Sequence, residues 1–196
     1  MQHNNYGLPT LLKPPLSEKN MPEILRLLKD QFETPIGEMV IAVDHDGNLR
    51  AVDWADHADR MLALLRRHYG KNGFTLDAAQ NPGGLTQTMM SYFAGDLSSI
   101  DAVTTQTAGT PFQREVWRSL RQIPCGLTIS YGELAKRIGR PKAVRAVGLA
   151  NGSNPIGIVV PCHRVIGSGG SLTGYGGGIE RKRWLLDHER KTGCVS

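Results

Sequence analysis

The stretch SYGELAKRIGRPKAVRAVGLA, residues 130–150, decides the fold of the C-terminal half of this 196-residue chain. Ser130 followed three residues later by Glu133 is typical of a capping box at the start of a helix, and Gly139 is typical of a helix end. An Arg-Pro pair then opens a second helical run, KAVRAVGLA. Two helices joined by a turn of about four residues that contains glycine have the spacing of a helix-turn-helix.

The second of these helices has little side-chain bulk on one side. Ala143, Ala146 and Ala150 lie at positions i, i+3 and i+7, with Lys142 and Arg145 beside them. Alanine stripes are common where helices pack tightly in a core. Here the neighbouring basic residues favour contact with DNA instead.

Charge is distributed unevenly along the chain. Residues 1–105 contain 9 Lys and Arg against 13 Asp and Glu, whereas residues 106–196 contain 14 against 5. Such asymmetry indicates that the C-terminal half faces a polyanion such as DNA or RNA. A merely solvated basic surface is the alternative that charge alone leaves open.

The N-terminal half has the pattern of a sheet covered by helices. Runs rich in apolar residues, separated by the turn sequences PIG and DHDG, predict three strands: ILRLLKDQFET (24–34), EMVIAV (38–43) and LRAVDW (49–54). Apolar residues at helical spacing predict an amphipathic helix over residues 55–70 and a shorter one over residues 85–95.

A capping box also starts the first helix of the C-terminal half. Thr110 and Gln113 have the required spacing, and Pro111 occupies the first helical position. The residues that follow place Phe112 and Trp117 on one apolar stripe, so this helix should pack into a core.

The segment VVPCHRVIGSGGSLTGYGGG, residues 159–178, places a cysteine directly before a histidine. The apolar run GIVV, residues 157–160, predicts a short buried strand, so Cys162 should lie at the edge of the core. Only a thiolate is a good nucleophile, and His163 is the nearest base in the sequence. Because consecutive side chains point to different faces in regular structure, proton transfer between them requires a bridging water or an irregular turn.

A histidine base needs a carboxylate that orients it. Glu189 in the last predicted helix is the first candidate, and Asp187 and Glu133 are the alternatives. From the residues alone, a single Cys-His pair is more often structural than catalytic.

Cysteine usage and the N-terminus bear on the cellular compartment. Cys125, Cys162 and Cys194 are widely spaced and form no C-x-x-C pair, which argues against a disulfide framework and a cysteine zinc site. Prolines interrupt the first 20 residues, so they do not form the apolar core of a signal peptide, and no run of 18 apolar residues occurs. The sequence therefore predicts a cytoplasmic protein without a bound metal or a membrane partner.

Three segments together resemble the O6-alkylguanine-DNA alkyltransferase family, also called the methylated-DNA-protein-cysteine methyltransferases. They are YGELAKRIGRPKAVRAVGLANGSNP (131–155), NPIGIVVPCHRVIG (154–167) and GYGGGIERKRWLLDHE (174–189). The PCHRV motif with its upstream Asn-Pro is highly specific. The arrangement of FQREVWRSLRQIPCG and NPGGL...YFAGDL extends the similarity towards residue 21.

This resemblance implies an α/β protein with two parts. Residues 21–105 would form an N-terminal ribonuclease-H-like α/β domain with a structural role. Residues 106–196 would form a C-terminal winged-helix-like, mostly helical domain that carries the helix-turn-helix and the active site. Residues 1–20 would be a flexible extension.

The resemblance also implies catalytic roles. Cys162 would accept the alkyl group, and His163 and Glu189 would complete a water-bridged relay. Asn154 would brace the turn that precedes the cysteine. Tyr131 would help to rotate the nucleotide and would protonate the leaving guanine.

Arg145 would fill the gap in the DNA stack that the flipped base leaves. The other residues expected at the DNA are Lys142, Ala143 and Ala146. The residues expected around the base are Tyr175, Val165, Gly176 and Gly157. Glycine at position 157 lacks a side chain that would restrict the route of the alkyl group, so ethyl and larger groups should be accepted as well as methyl.

The implied function is DNA repair by direct damage reversal. The chain, monomeric when free, would move the alkyl group from O6-alkylguanine in duplex DNA to Cys162 once per molecule, without a cofactor; O4-alkylthymine is a second candidate substrate. A non-catalytic binder of alkylated DNA has tryptophan in place of the acceptor cysteine, so Cys162 argues against that class. A regulator with a zinc-bound cysteine cluster does not fit three scattered cysteines, and a cysteine hydrolase is disfavoured only by the histidine spacing.

Overall fold

The structure is a computed structural model that describes residues 24–193, and these residues form a mixed α/β fold. The larger sheet has the strand order β3-β2-β1-β4 and the smaller one pairs β5 with β6. The strands are β1 (Leu25–Phe32), β2 (Met39–Asp44), β3 (Leu49–Trp54), β4 (Phe74–Ala78), β5 (Ile129–Ser130) and β6 (Val165–Ile166). The helices are α1 (Ala58–Tyr69), α2 (Leu85–Phe93), α3 (Pro111–Leu120), α4 (Tyr131–Arg137), α5 (Val144–Gly152) and α6 (Ile179–Thr192).

The N-terminal half contains the three predicted strands and both predicted helices. β1, β2 and β3 form an antiparallel meander, and α1 packs on one face of it through Met61 and Leu65. The sequence analysis did not predict β4, which pairs in parallel with β1. Most of its residues are at least partly exposed, so FTLDA lacks the apolar run that marks a buried strand.

The helix-turn-helix consists of α4 and α5, which contact each other and α3. The Ser130 hydroxyl accepts a hydrogen bond from the Glu133 backbone N–H at 3.0 Å, which is one half of the predicted capping box. The Glu133 carboxylate instead lies 3.6 Å from Arg137 in an exposed ion pair. The mixed α/β class with a helix-turn-helix is confirmed, while the domain boundaries at residues 21 and 106 stay a prediction.

The alanine stripe of residues 143–150 is only partly exposed. Ala146 is exposed, but Ala150 is buried and Ala143 precedes the first turn of α5. The Trp117 indole N–H donates to the Ala150 carbonyl oxygen at 2.8 Å. One part of the stripe therefore packs against α3, and only the other part faces solvent.

The edge strand β3 joins the two halves of the chain. The Val52 N–H donates to the Pro155 carbonyl oxygen at 2.9 Å, just ahead of the cysteine segment, and Leu49 exchanges backbone hydrogen bonds with the segment around Thr105. The larger hydrophobic core contains side chains of both halves, among them Trp54 and Leu185. The unpaired edge of a sheet leaves backbone N–H and C=O groups free to bind another segment. Here the segment that precedes Cys162 binds that edge, and the pairing fixes where the cysteine turn lies.

The start of α3 offers a test of local stability. The Thr110 hydroxyl accepts from the Gln113 N–H at 3.2 Å, and the Gln113 side chain accepts from the Thr110 N–H at 2.9 Å. Thr110→Ala should lower the free energy of unfolding by about 1 kcal/mol, because the Gln113 N–H loses its acceptor. Urea titration measures this loss. Thr110→Ser, which keeps the hydroxyl, should change stability by less than half as much, and an equal loss would contradict the capping explanation.

Candidate active site

Cys162 is free and 5% exposed, and it begins one turn of 3-10 helix; residues 157–160 before it form a turn instead of a strand. The prediction of a strand over residues 157–160 is therefore wrong. Ile158 has a φ of +67° and is bracketed by a hydrogen bond from Val159 N–H to the Gly157 carbonyl oxygen. A β-branched residue in this region is strained by about 1–3 kcal/mol, so surrounding contacts must hold the turn in place.

Asn154 supplies these contacts. Its amide nitrogen donates to the carbonyl oxygens of Ile156 at 3.2 Å and Val160 at 2.8 Å, and its Oδ1 accepts from the Ile156 N–H at 3.0 Å. Asn154 is 2% exposed. Its position is thus consistent with the predicted brace before the cysteine.

His163 and Arg164 follow Cys162 in one turn of 3-10 helix, and both contact Glu189 on α6. His163 Nε2 lies 2.8 Å from Glu189 Oε1, and the Arg164 guanidinium reaches both carboxylate oxygens at 2.9–3.3 Å. The carboxylate also accepts from the Gly126 N–H at 3.1 Å and from the Tyr92 hydroxyl at 2.9 Å. Of the three carboxylates considered from the sequence, Glu189 contacts His163.

The charge state of this cluster follows from burial and contacts. Burial would raise the pKa of Glu189, but His163 and Arg164 hold it far below its usual range, so the carboxylate is ionised and only accepts hydrogen bonds. Burial lowers the pKa of His163 although Glu189 opposes that shift. A neutral His163 donates its Nε2–H to Glu189, which leaves Nδ1 as the basic nitrogen.

His163 Nδ1 is buried and has no hydrogen-bond partner among residues 24–193. Burial raises the pKa of the Cys162 thiol, while the Asn154 side chain and the charges of Arg60 and Lys182 act against that rise. The thiol is therefore protonated at neutral pH, and ionisation requires a base. Nδ1 is the group in this turn that remains available for that task.

Lys182 lies beneath the segment that follows the cysteine. Its ammonium donates to the carbonyl oxygens of Val165 at 2.6 Å and Thr173 at 2.8 Å. Burial lowers the pKa of Lys182 to about 8, and the Cys162 thiolate would oppose this shift. Lys182 thus fixes both ends of the loop between β6 and Tyr175.

Tyr131, the first residue of α4, is half-buried, and its hydroxyl donates to the Thr173 carbonyl oxygen at 3.3 Å. Burial raises the pKa of Tyr131 and a charge on Cys162 raises it further, whereas contacts with Thr173 and Asn151 lower it. Tyr131 therefore stays protonated at neutral pH and can donate a hydrogen bond. It lies close enough to Cys162 for the two groups to influence each other's charge.

The GYGGG segment is closed on one side by the N-terminal half. A Cβ on Gly176 would overlap the Arg60 guanidinium, and one on Gly177 would overlap the Trp54 indole. The predicted base-pocket role of Gly176 is thus accompanied by a packing role that the sequence did not reveal. Arg60 also donates to the Asn154 carbonyl oxygen at 3.3 Å and pairs with Asp53 at 2.5 Å.

Gly157 and Tyr175 lie together in a small cleft that also includes Cys162. A Cβ on Gly157 would be 3.7 Å from the Tyr175 hydroxyl, which is ordinary contact. The Tyr175 ring packs edge-to-face on His163 with centroids 6.5 Å apart. Val165, also predicted near the base, is buried in β6 directly after the Cys162–Arg164 turn.

The predicted DNA contacts lie on the outer side of the helix-turn-helix. Lys142, Arg145 and Ala146 are exposed, and Ala143 is partly exposed. Leu149, four residues after Arg145, is 73% exposed and extends this surface. The structure thus places a cation and an apolar side chain next to each other on α5.

Two contributors to the Glu189 cluster were missed by the sequence analysis. Arg164 lies within the PCHRV motif, but a buried arginine beside a carboxylate is visible only in three dimensions. Tyr92 comes from α2, 97 residues before Glu189. Outside this cluster, Cys125 is disulfide-bonded, which the spacing of the cysteines did not predict.

Residues 24–193 contain no group of three or more His, Cys, Asp or Glu side chains that could hold a metal ion. Within the same part of the chain, no helix is long and apolar enough to cross a membrane. The catalytic and binding roles of the residues above are predictions that their positions permit.

Comparison with known proteins identifies several similar sequences. Residues 111–191 match the family model for the 6-O-methylguanine DNA methyltransferase DNA-binding domain. The chain is 57% identical over 166 residues to the methylated-DNA-protein-cysteine methyltransferase of Shigella flexneri, which covers 85% of this chain and 97% of that protein. Identity to the protein of the same name from Salmonella typhimurium is 55% over the same coverage.

Solved structures show the same fold. Mycobacterium tuberculosis OGT in complex with DNA superposes with a TM-score of 0.67 at 41% identity, over 84% of this chain and 94% of that one. The O6-methylguanine-DNA methyltransferase of Pyrococcus kodakaraensis gives a TM-score of 0.61 at 29% identity, over 83% and 98%.

The Glu189 cluster predicts a pH-dependent contribution to stability. Because the pKa of Glu189 is depressed in the folded chain, its contribution is fully present above its ordinary value of 4.5 and is lost as the pH falls below it. Glu189→Gln should lower the free energy of unfolding by about 3 kcal/mol at pH 7, since Arg164 then lies buried without its counter-charge.

The difference between the two proteins should shrink as the solution is acidified, and denaturant titrations between pH 7 and pH 3 measure it. Glu180→Gln on the same helix is the matched control, because Glu180 is exposed and its pair with Arg183 contributes little. A loss that is the same at every pH would mean that the shape of the side chain matters and its charge does not.

Proposed function

The chain belongs to the methylated-DNA-protein-cysteine methyltransferase family, and on that premise we propose that it repairs O6-alkylguanine in duplex DNA by moving the alkyl group irreversibly to Cys162. It is an enzyme of DNA repair, as its relatives are. The observation that carries the proposal is the buried free thiol of Cys162, one residue before a histidine whose Nε2 contacts an ionised carboxylate. A protein that only binds alkylated DNA has no need of this arrangement.

The nucleophile forms by proton transfer inside the cysteine turn. Glu189 holds the Nε2–H of His163, so Nδ1 takes the thiol proton of Cys162, through one bridging water. The imidazolium that results is stabilised by the carboxylate. Burial keeps the Cys162 thiol protonated in the absence of substrate. The thiolate therefore forms only when His163 takes the proton and a bound substrate reacts with the sulfur.

Transfer is a single displacement at the alkyl carbon. The thiolate sulfur forms an S–C bond as the C–O6 bond breaks, and the bonding electrons of that bond stay on the guanine. Tyr131 supplies a proton to the departing base, which then leaves as neutral guanine. The position of the Tyr131 hydroxyl, close to Cys162 and on the Thr173 carbonyl, supports this role.

The target base has to leave the helix before it can reach Cys162, which is 5% exposed. Extrusion of a nucleotide costs a few kcal/mol, and a side chain that fills the vacated stack offsets part of that cost. Arg145 is exposed near the start of α5 and is suited to this task. Lys142 and the other basic residues of the C-terminal half would bind phosphates.

Each molecule acts once. A thioether on Cys162 is chemically inert, so the alkyl group stays on the sulfur. No cofactor enters any of these steps. That the free chain is monomeric and cytoplasmic stays a prediction from the sequence.

The first test concerns the acceptor. After incubation with a duplex containing O6-methylguanine, intact-mass measurement should find one methyl group on the wild-type chain, and peptide mapping should place it on Cys162. Cys162→Ala should bind the duplex and gain no mass, because no other thiol lies in the turn. Cys125→Ala and Cys194→Ala are the matched controls and should be methylated normally; a methyl group on either of those cysteines in the wild type would refute the assignment.

The second test separates extrusion from binding. Arg145→Ala should slow single-turnover transfer by about tenfold or more, because the gap in the stack stays open. Its affinity for the duplex should fall by only roughly threefold, as expected for one charge among several.

Lys142→Ala removes the same charge three residues away and should weaken binding without a separate effect on the rate of transfer at saturating protein. If Arg145→Ala behaves as Lys142→Ala does, then Arg145 is an ordinary phosphate contact. Fluorescence anisotropy and rapid-quench measurements give the two quantities.

A further inference from the structure

Asn151 lies next to the cysteine turn, and the oxygen of its side-chain amide has no hydrogen-bond partner among residues 24–193. It belongs to the last turn of α5 and is 3% exposed. Its Oδ1 is buried. Buried polar atoms in native proteins are nearly always paired, so an unpaired carbonyl oxygen beside a reactive thiol points to a ligand that supplies the donor.

Asn151 is poorly suited to be a brace for the turn. Its amide nitrogen lies 3.5 Å from the Cys162 carbonyl oxygen, at the outer limit of a hydrogen bond. Asn154, by contrast, makes three hydrogen bonds of 2.8–3.2 Å and uses both ends of its amide to fix the same segment. The turn is thus already held, and Asn151 Oδ1 is available for another partner.

The surroundings of Asn151 belong to the site where the base must lie. Its side chain is close to the Tyr131 hydroxyl as well as to the Cys162 carbonyl oxygen. In the proposed reaction Tyr131 faces the guanine ring and Cys162 faces its alkyl group. A base that reaches both residues therefore presents an edge to Asn151.

The chemistry of the base selects what can pair with this oxygen. In O6-alkylguanine the ring nitrogen N1 carries no hydrogen, so the exocyclic 2-amino group is the donor of its pairing edge. In O4-alkylthymine the corresponding ring nitrogen also lacks hydrogen, and there is no amino group. A carbonyl acceptor thus favours the guanine lesion over the thymine lesion, because only the former satisfies it.

We propose that Asn151 is a specificity-determining residue whose Oδ1 accepts a hydrogen bond from the 2-amino group of the flipped base. The inference rests on the proposed function and adds to it the group of the base that Asn151 recognises. It assigns the preference for guanine lesions to this side chain.

The experiment compares duplexes that differ by a single amino group. Single-turnover transfer is measured on O6-methylguanine, on O6-methylhypoxanthine, which lacks the 2-amino group, and on O4-methylthymine. The wild-type chain should react about tenfold or more faster with O6-methylguanine than with O6-methylhypoxanthine, as expected for one buried hydrogen bond. Asn151→Ala and Asn151→Leu should bring that ratio to within about threefold of unity, mainly by slowing the reaction of O6-methylguanine.

Ser153→Ala is the matched control from the end of the same helix, since its hydroxyl contacts Ala150 and Gln113 and not the cysteine turn. It should keep the wild-type ratio. Thermal unfolding shows whether the Asn151 variants are folded. A wild-type ratio near unity overturns the inference by itself. The inference is also overturned if both Asn151 variants are folded and keep the wild-type ratio.

Failure of the proposed function gives a different result. If the wild-type chain transfers no methyl group from any of the three duplexes, the proposed reaction is wrong and the inference falls with it. If the chain transfers a methyl group from O6-methylguanine but the rate ratio is the same in the wild type and in the Asn151 variants, the proposed reaction stands and only the assignment to Asn151 is wrong.

Discussion

The buried carboxylate of Glu189 is the constraint on which the rest of the site depends. An ionised carboxylate with no exposure to water is tolerated only when charged and polar partners surround it. His163, Arg164, Tyr92 and the Gly126 N–H provide these partners from three separate parts of the chain. Each of those segments must therefore reach its place before the carboxylate can be buried, which ties formation of the relay to folding of both halves.

A second constraint is the strained turn that precedes Cys162. Ile158 has a left-handed backbone conformation that is unfavourable for its side chain, and Asn154 and the edge of β3 hold the turn in that conformation. The same turn continues into one turn of 3-10 helix, so Cys162 and His163 do not alternate as they would in a strand. One short irregular segment thus carries both the thiol of Cys162 and the imidazole of His163.

The buried groups of the candidate site and the exposed surface of α5 lie in separate parts of the molecule. The thiol of Cys162, the imidazole of His163 and the carboxylate of Glu189 are buried, whereas Arg145 and Leu149 are exposed on α5. Asn151 lies at the boundary between these regions, on the helix that would contact DNA but beside Cys162. In the proposed function, this one short helix carries both residues that contact DNA and a residue that contacts the base.

The sequence alone determined the elements that depend on local patterns. Strand runs, helix caps and glycine stops gave the meander, the capped helix α3 and the helix-turn-helix, because periodicity and capping act over a few neighbouring residues. The PCHRV motif likewise indicated Cys162 and His163, and Glu189 as the first candidate for the carboxylate. Only the tertiary structure decided that GIVV is a strained turn, that Ala150 is buried while Ala146 is exposed, and that Tyr92 and Arg164 share Glu189 with His163. These features follow from contacts between residues far apart in the chain, and a linear pattern does not specify which buried groups must satisfy one another's charges and hydrogen bonds.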